Sequence, residues 1–360
     1  MNVSFYIEHL YYLPQFQPVL DELSTKGHSV ELLVNSNSIN EDDAETIFKD
    51  ISYNSIFVSS SKEIIDHFHK TSPDWIILGN NLIDFQELPK QCKTAMIYHG
   101  IGVKECYYKT GLLQTDVRFV EGEHRTREIL RRDPQAKLAE VGFSKLDPLF
   151  QANAFDHAQL YQLYNLDQNK KTILYAPTFY PSSLELMAKN FPAQFSEYNI
   201  IIKPHEFSLT KSQYKNQRNL LTHWQQFDNV YLAQKKDFSL VPFMAIADIL
   251  ISEASSALFE FAALDKPVIW CDFLKLRWNY RGIFRYRLER RMDQTISRYK
   301  DIALHVDRYK HLKAVVDAEL NQPDNLSNKR NQYSAELLGA CDGRVSERIV
   351  QYLEQQLSLK

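Results

Sequence analysis

The stretch ADILISEASSALFEFAALDKPVIWCD, Ala247 to Asp272, holds two apolar runs with a helix-sized segment between them. Ala247 to Ser252 reads as one buried strand and Pro267 to Asp272 as the next. Ala257 to Leu264 is apolar nearly all round and reads as a buried helix joining them. A strand, a helix and a second strand in so short a span make a βαβ unit, and such units build parallel sheets. The chain enters the helix through Ser255 and Ser256, with no glycine between strand and helix. Two hydroxyls at a helix start admit two readings. They cap the first N–H groups, or they add donors to an end that already offers unpaired N–H groups and partial positive charge to an anion. Glu253 beside them argues against a bare anion site. It either binds a ribose or base hydroxyl or points away.

The same alternation runs along the whole chain. Val3–Ile7 reads as a strand, Pro14–Lys26 as a helix ended by Gly27, and Val30–Val34 as the next strand. Further strands are expected at Ser55–Ser59, Asp74–Gly79, Thr94–Gly100 and Asp116–Gly122. A second set occupies Thr172–Thr178, Asn199–His205, Asn229–Ala233 and the two strands of the opening stretch. A polar linker, Gln151–Lys171, separates the sets. The expected architecture is therefore α/β, with two doubly wound Rossmann-like domains facing a cleft, as in the GT-B class of transferases. The domains are placed at residues 1–165 and 166–333. Residues 334–360 are expected to form a C-terminal helix, broken near Gly339 to Gly343, that packs back across the cleft.

Composition narrows the function. The chain has 360 residues, 44% of them hydrophobic, and a formal net charge of -3, so it exerts no global pull on nucleic acid or membrane. Gly is scarce, which argues against a glycine-rich phosphate cradle. Cys92, Cys106, Cys271 and Cys341 show no CxxC spacing, which excludes a zinc knuckle and fits a reducing compartment. There is no signal-peptide pattern and no run approaching 18 apolar residues. The protein is expected in the cytoplasm, at most against the inner face of the cell membrane. No DxD, GxxxxGK[ST] or HExxH motif appears, so no metal or other cofactor is required. One segment departs from the average: Lys275 to Lys300 is basic and interleaved with aromatics. It reads either as a solvated amphipathic surface or as a contact for a polyanionic acceptor or anionic lipid headgroups.

In open α/β sheets, ligands bind beyond the carboxyl ends of the strands. Those ends here carry His99–Gly100, Pro177–Thr178, Lys203–Pro204–His205, and Ser252–Glu253 with Ser255 and Ser256. Each has a plain structural explanation alone, as a hydrogen-bonded loop residue or a cap. Four such ends in one chain point to an anion site.

Taken in order, these elements resemble the CDP-glycerol glycerophosphotransferase family of teichoic-acid-type polymerases and primases. Its HG-T-P-x-K motif resembles YHGIGVK, which keeps His99, Gly100 and Lys104 around Ile101 and Gly102. Its G-x-P-R-x-D element resembles VGFSKLDPL, with Gly142, Asp147, and Lys145 for arginine. Its YAPTWR resembles YAPTFY, where the arginine is absent. Its KPHP resembles Lys203 to Glu206. Its D-Y-S-S-x-x-F-D-F-A resembles EASSALFEFA, with Glu253 and Glu260 for the two aspartates, and KPIIFY resembles KPVIW. An RGFY-like element matches Arg281 to Phe284, followed by Arg285, Tyr286 and Arg287 where the family has acidic residues. DG-K-A-S-E-R resembles DGRVSERI. The set spans about residues 94 to 350.

The resemblance implies transfer of a glycerol phosphate (polyol phosphate) unit from CDP-glycerol, as the CDP-polyol donor, to an acceptor hydroxyl, with release of CMP. Such chemistry needs in-line positioning and stabilisation of spreading negative charge. His99 is expected to be the base that takes the acceptor proton, and His205 the donor to the pyrophosphate or leaving group. Ser255, Ser256 and the helix start are expected to hold the donor phosphates, with Gly100 and Lys203 in the substrate site. Thr178 and Glu260 are candidates for nucleotide contact. Ser346 and Arg348 reach phosphate if the last helix returns to the cleft; otherwise Arg348 makes a surface salt bridge. The acceptor is expected to be a glycan or polyol phosphate, lipid-linked, with no nucleic acid partner. A competing reading is a GT-B glycosyltransferase acting on a nucleotide sugar. Glu253 and Glu260 stand seven apart rather than the eight found in many retaining members. A nucleic-acid-binding module working through Lys275 to Lys300 would leave the strand-end residues accidental, and the chain's acidity disfavours it.

Overall fold

β1 (Asn2–Ile7) is buried at every position but its first, which marks it as an interior strand of a sheet covered on both faces. It pairs in parallel with β2 (Ser29–Asn35) on one side and β4 (Trp75–Leu78) on the other. Adding β3 (Asn54–Val58), β5 (Lys93–Ile97), β6 (Val117–Val120) and β7 (Leu138–Glu140) gives a parallel sheet in the order β3-β2-β1-β4-β5-β6-β7. The helix Leu13–Thr25 buries Leu13, Phe16, Val19, Leu20 and Leu23, the spacing of one helical face. It stops at Gly27, whose φ of 77° suits a helix end. This computed structural model describes residues 1–37, 39, 47, 53–79, 85–101, 108, 115–280, 282–284, 286 and 294–358.

The second parallel sheet contains β8 (Thr172–Tyr175), β9 (Asn199–Ile202), β10 (Val230–Leu232), β11 (Ile249–Ser252), β12 (Val268–Cys271) and β13 (Leu304–Val306). Its order is β10-β9-β8-β11-β12-β13. The opening stretch of the sequence is its β11–helix–β12 unit, with Leu250 to Ser252 in parallel register with Val268 to Trp270. Each sheet reverses its winding once, between β1 and β4 in the first and between β8 and β11 in the second. Such reversals leave crevices where ligands bind.

The chain divides into two units. One comprises Met1–Gly100, Cys106–Ala152 and Glu336–Lys360, and the other Ile101–Glu105 and Asn153–Ala335. The division thus falls at residues 152/153 rather than 165/166. The reason is the helix His157–Leu163, which the sequence places with the first domain. Its Tyr161 hydroxyl meets Thr172 Oγ1 at 3.1 Å, and Tyr164 just beyond it packs on Tyr231 and Phe243. The C-terminal segment forms two helices, Ser327–Leu338 and Val345–Ser358, separated at Gly339 to Gly343. From Glu336 onward it belongs to the first unit, where Trp75 Nε1 donates to the carbonyl of Leu353 at 3.2 Å.

Candidate functional site

In the second unit, the residues that follow β8, β9 and β11 gather at the reversal point. Glu253, directly after β11, is buried and turned inward. One of its oxygens accepts the Thr178 N–H at 2.7 Å; the other accepts the N–H of Ser183 at 2.6 Å and the hydroxyls of Ser183 and Ser182. It clamps the loop after β8 and is not a ligand for ribose or base. Burial pushes its carboxyl above the ordinary value, against the pull of those four donors. Thr178 is consumed by the same clamp, because its N–H goes to Glu253 and its hydroxyl donates to the carbonyl of Pro181. This corrects the expectation that Thr178 contacts the nucleotide.

Ser255 caps the helix Ser256–Ala262. Its backbone is extended (φ -143°, ψ 152°) and its Oγ accepts the Ala257 N–H at 3.3 Å. The cap uses Oγ as an acceptor, so the hydroxyl proton remains a donor. Ser256 is half-buried at the first helical position. Glu260 lies on the same helix, where every residue from Ala257 to Ala262 is buried. It is fully enclosed and presents no surface to a nucleotide, which corrects the expectation placed on it.

After β9, the Lys203 N–H donates to Tyr175 O at 2.9 Å and prolongs the sheet past its last paired residue. His205 then caps the short helix Glu206–Thr210, with Nδ1 accepting the Phe207 N–H at 3.1 Å. Its ring packs on Phe179 (4.6 Å between centroids) and Phe207 (4.9 Å). Because Nδ1 is an acceptor, the neutral ring carries its proton on Nε2. The fold therefore presents His205 as an Nε2–H donor in one tautomer.

In the first unit, His99 follows β5. Its ring stacks on Tyr12 (4.7 Å, 28°) and meets Tyr11 edge-on (5.1 Å), with Nδ1 3.5 Å from Gly79 O. Tyr12 is held by Glu8 through its hydroxyl at 3.2 Å, and burial drives that hydroxyl far above the ordinary phenol range. A side chain at Gly79 would strike the Tyr12 ring at 2.7 Å, so the glycine is what lets the stack form. The carbonyl of Gly100 accepts from Arg125 Nη2 at 3.0 Å. Burial is the largest single influence on Arg125 and acts against its charge. Glu121 at 3.0 and 3.1 Å, together with Tyr108 and Tyr98, more than offsets it and keeps the guanidinium charged, with the Tyr98 ring 4.8 Å away. Gly100 thus serves as an anchored turn.

Sequence reasoning missed Glu8, Tyr12 and Arg125. Glu8 was open to discovery, since it stands directly beyond β1, at a strand end like the four that were singled out. Arg125 gave no such signal, being one charge in a helix rich in them. Lys104 lies outside the described residues.

Ser346 and Arg348 do other work than phosphate binding. The Ser346 N–H and hydroxyl both donate to Asp147 Oδ2 at 2.7 Å, and the Val345 N–H donates to Oδ1 at 3.0 Å. Asp147 accordingly caps the last helix, in spite of burial that raises its carboxyl. Arg348 pairs with Asp342 at 2.8 and 3.0 Å and with Val141 O at 2.8 Å. The two motifs VGFSKLDPL and DGRVSERI are the halves of a clasp inside the first unit.

Of the Lys275–Lys300 segment, the described residues include Trp278, Ile283 and Tyr286, exposed at 77%, 86% and 45%. Arg281, Arg285 and Arg287 lie outside them. A cavity of about 590 Å³ opens elsewhere, at the amino-terminal ends of β8 to β10, lined by Asn165, Asp167, Lys170, Asn199 and Asn229 among others. None of the strand-end residues above lines it.

Residues 116–355 match the profile of the CDP-glycerol:poly(glycerophosphate) glycerophosphotransferase family. Among characterised proteins, the chain is similar to a teichoic acid glycerol-phosphate primase of Bacillus spizizenii, 29% identical over 133 residues, which are 35% of this chain and 32% of the primase. It is also similar to a teichoic acid poly(glycerol phosphate) polymerase of the same organism, 28% identical over 172 residues, 44% of this chain and 41% of that one. The match thus spans about a third of the primase's length. In three dimensions the chain resembles the wall teichoic acid polymerase TagF, with a TM-score of 0.70 at 15% identity over 99% of this chain and 89% of that one. A UDP-GlcNAc 2-epimerase from Neisseria meningitidis gives 0.60 at 14% identity over 99% and 100%. At these identities the structural likeness speaks for the GT-B-like fold.

Proposed function

Because the chain belongs to the CDP-glycerol:poly(glycerophosphate) glycerophosphotransferase family, we propose that it moves a glycerol phosphate unit from CDP-glycerol to an acceptor hydroxyl and releases CMP, in the synthesis of a cell-surface polymer. The observation that carries the reading is His205, held as an Nε2–H donor beside the β8/β11 reversal. In this reaction the acceptor oxygen forms a bond to the phosphorus that carries glycerol. The bond from that phosphorus to the bridging oxygen breaks, and CMP leaves. His99 takes the acceptor proton, its ring fixed by Tyr12. His205 gives a proton or hydrogen bond to the departing phosphate. Ser255 and Ser256 hydrogen-bond the donor phosphates with their hydroxyl protons, and Lys203 adds positive charge at the neighbouring strand end.

The acceptor in this reading is a glycan or polyol phosphate carried on lipid. Support for a membrane setting comes from the sequence of Lys275–Lys300, which holds nine Lys or Arg and two acidic residues, Glu289 and Asp293, in a chain of net charge -3. Exposed Trp278 and Ile283 belong to the same segment. Basic charge with exposed aromatic and aliphatic side chains suits an anionic interface.

The deciding experiment incubates the protein with CDP-glycerol, CDP-ribitol and a panel of nucleotide sugars, with and without a membrane extract as acceptor source, and identifies the nucleotide released. CMP from CDP-glycerol is the expected result, and it should survive a chelator, since no metal is invoked. UMP, UDP or GDP from a sugar donor would move the protein to the glycosyltransferases.

A further inference from the structure

Arg277 stands on the loop after β12, and the protein holds it in a specific way. Its guanidinium lies over the Tyr180 ring, 4.3 Å from the centroid, and Nη2 donates to the Tyr214 hydroxyl at 3.2 Å. Its backbone N–H donates to the Tyr180 hydroxyl at 2.9 Å. The loop itself is fastened to the Glu253-clamped segment, since the Lys275 N–H donates to Ser182 O at 3.1 Å. Stacking on one tyrosine and bonding to another fixes the plane of the guanidinium while leaving most of its fork unused. Arg277 is exposed, and no carboxylate among the described residues pairs with it, whereas Lys275 nearby does meet Glu185 at 3.5 Å.

The surroundings connect this cation to His205. Tyr214 packs on Phe179 (5.9 Å between centroids), and Phe179 packs on the His205 ring (4.6 Å). Arg277 and His205 are thus two donors set on one aromatic cluster at the carboxyl edge of the second sheet. Tyr180, under the guanidinium, is the last residue of YAPTFY, the segment that lacks the arginine of the motif it resembles.

We propose that Arg277 is a phosphate-binding residue for the nucleotide donor, supplying from the loop after β12 the guanidinium that Tyr180 does not. The inference rests on the proposed function for its ligand, the pyrophosphate of a nucleoside diphosphate derivative. A planar fork with adjacent N–H groups matches two phosphate oxygens, and His205 Nε2–H offers a third donor on the same cluster.

The test is calorimetric binding of inorganic pyrophosphate and of CDP to the wild type, Arg277→Gln, Arg277→Lys and the double variant Tyr180→Arg/Arg277→Gln, with thermal melts alongside. Arg277→Gln should keep its melting temperature and bind both probes about 10- to 100-fold more weakly, the scale of one charge-assisted hydrogen-bonded contact. Arg277→Lys should fall between, and the double variant should recover part of the loss. Undiminished pyrophosphate affinity in a folded Arg277→Gln, or no pyrophosphate binding by the wild type, overturns the proposal. Because the probes need no turnover, a wild type that uses a nucleotide sugar would sink the proposed reaction while leaving the role of Arg277 measurable.

Discussion

Glu253 and Ser183 are joined twice at one oxygen: the Ser183 N–H and its hydroxyl both donate to Glu253 Oε1, at 2.6 and 2.5 Å. The other carboxylate oxygen holds the Thr178 N–H. An acid at the end of β11 therefore sets the shape of the loop that leaves β8, the strand across the reversal point. Phe179 and Tyr180, which carry His205 and Arg277, ride on that loop.

Removing this clamp strands several buried donors at once. Glu253→Ala should destabilise the protein by about 3 kcal/mol or more, read as a lower urea midpoint. Glu253→Gln isolates the charge. The folded carboxyl titrates above its ordinary value of 4.5, so the native state binds the proton more tightly than the unfolded chain does. Its contribution is fully present below 4.5 and is lost as pH rises through the folded value. The stability of Glu253→Gln relative to wild type should accordingly improve as pH rises; a pH-independent difference would contradict the assignment.

A second prediction concerns Gly142. Its φ is 105°, and an added Cβ would lie 2.6 Å from Val345 Cγ2 and 3.0 Å from the carbonyl of Ala340. Alanine there faces both a disfavoured backbone and a collision with the turn that starts the last helix. Gly142→Ala should cost about 2–4 kcal/mol and speed proteolysis after residue 339. Wild-type stability would mean that the turn can retreat without loss.

Most of the sheet was legible because buried parallel strands are short apolar runs set between helices, as in NIII of β9 and ILIS of β11. Two of the four edge strands, LAE of β7 and LHV of β13, were not, since each holds only two apolar residues and their identity as strands comes only from pairing with β6 and β12. The strand-end histidines were visible by position. Arg348 makes the salt bridge that stood as its alternative. Thr178, Glu260 and Ser346 were misread for one physical reason: a motif residue serves equally well in a buried clasp as in a ligand contact. Only the direction of the side chain separates the two, and sequence spacing does not carry it.

Arg348 tests that distinction through pH. Its bond to Asp342 holds that carboxyl below the ordinary value of 3.8. As pH falls, the unfolded chain takes up the proton first. The pair therefore stabilises the protein above 3.8, and the benefit is lost as pH falls through the lower, folded value. Both partners are partly exposed, so the pair is worth no more than about 1 kcal/mol. Arg348→Ala should show that small deficit at neutral pH, less at acid pH, and unaltered affinity for CDP. A large loss of CDP affinity would return Arg348 to the phosphate site.

The two histidines make a sharper demand. His99→Ala and His205→Ala should each lower turnover of CDP-glycerol by about 100- to 10,000-fold, the usual range for a lost acid or base. His205→Ala also loses a helix cap, worth about 1 kcal/mol, so its melting temperature should drop slightly. Tyr12→Phe keeps the stack on His99 and loses the hydroxyl's bonds to Glu8 and Tyr11, and should retain most activity. Full turnover in either alanine variant would remove that histidine from the reaction.

Membrane contact separates charge from insertion. If Lys275–Lys300 binds an anionic surface, sedimentation with phosphatidylglycerol vesicles should be strong in low salt and should weaken as the Debye length contracts from about 10 Å at 0.1 M to about 3 Å at 1 M. Neutral phosphatidylcholine vesicles should bind far less. Any fraction that resists salt should depend on apolar burial, so Trp278→Ala and Ile283→Ala should abolish it while leaving the low-salt binding largely intact. These side chains are 77% and 86% exposed, and their loss should not lower the melting temperature. Equal binding to neutral and anionic vesicles would rule out charge as the driving force, and no binding to either would leave the basic segment free for a soluble polyanionic acceptor.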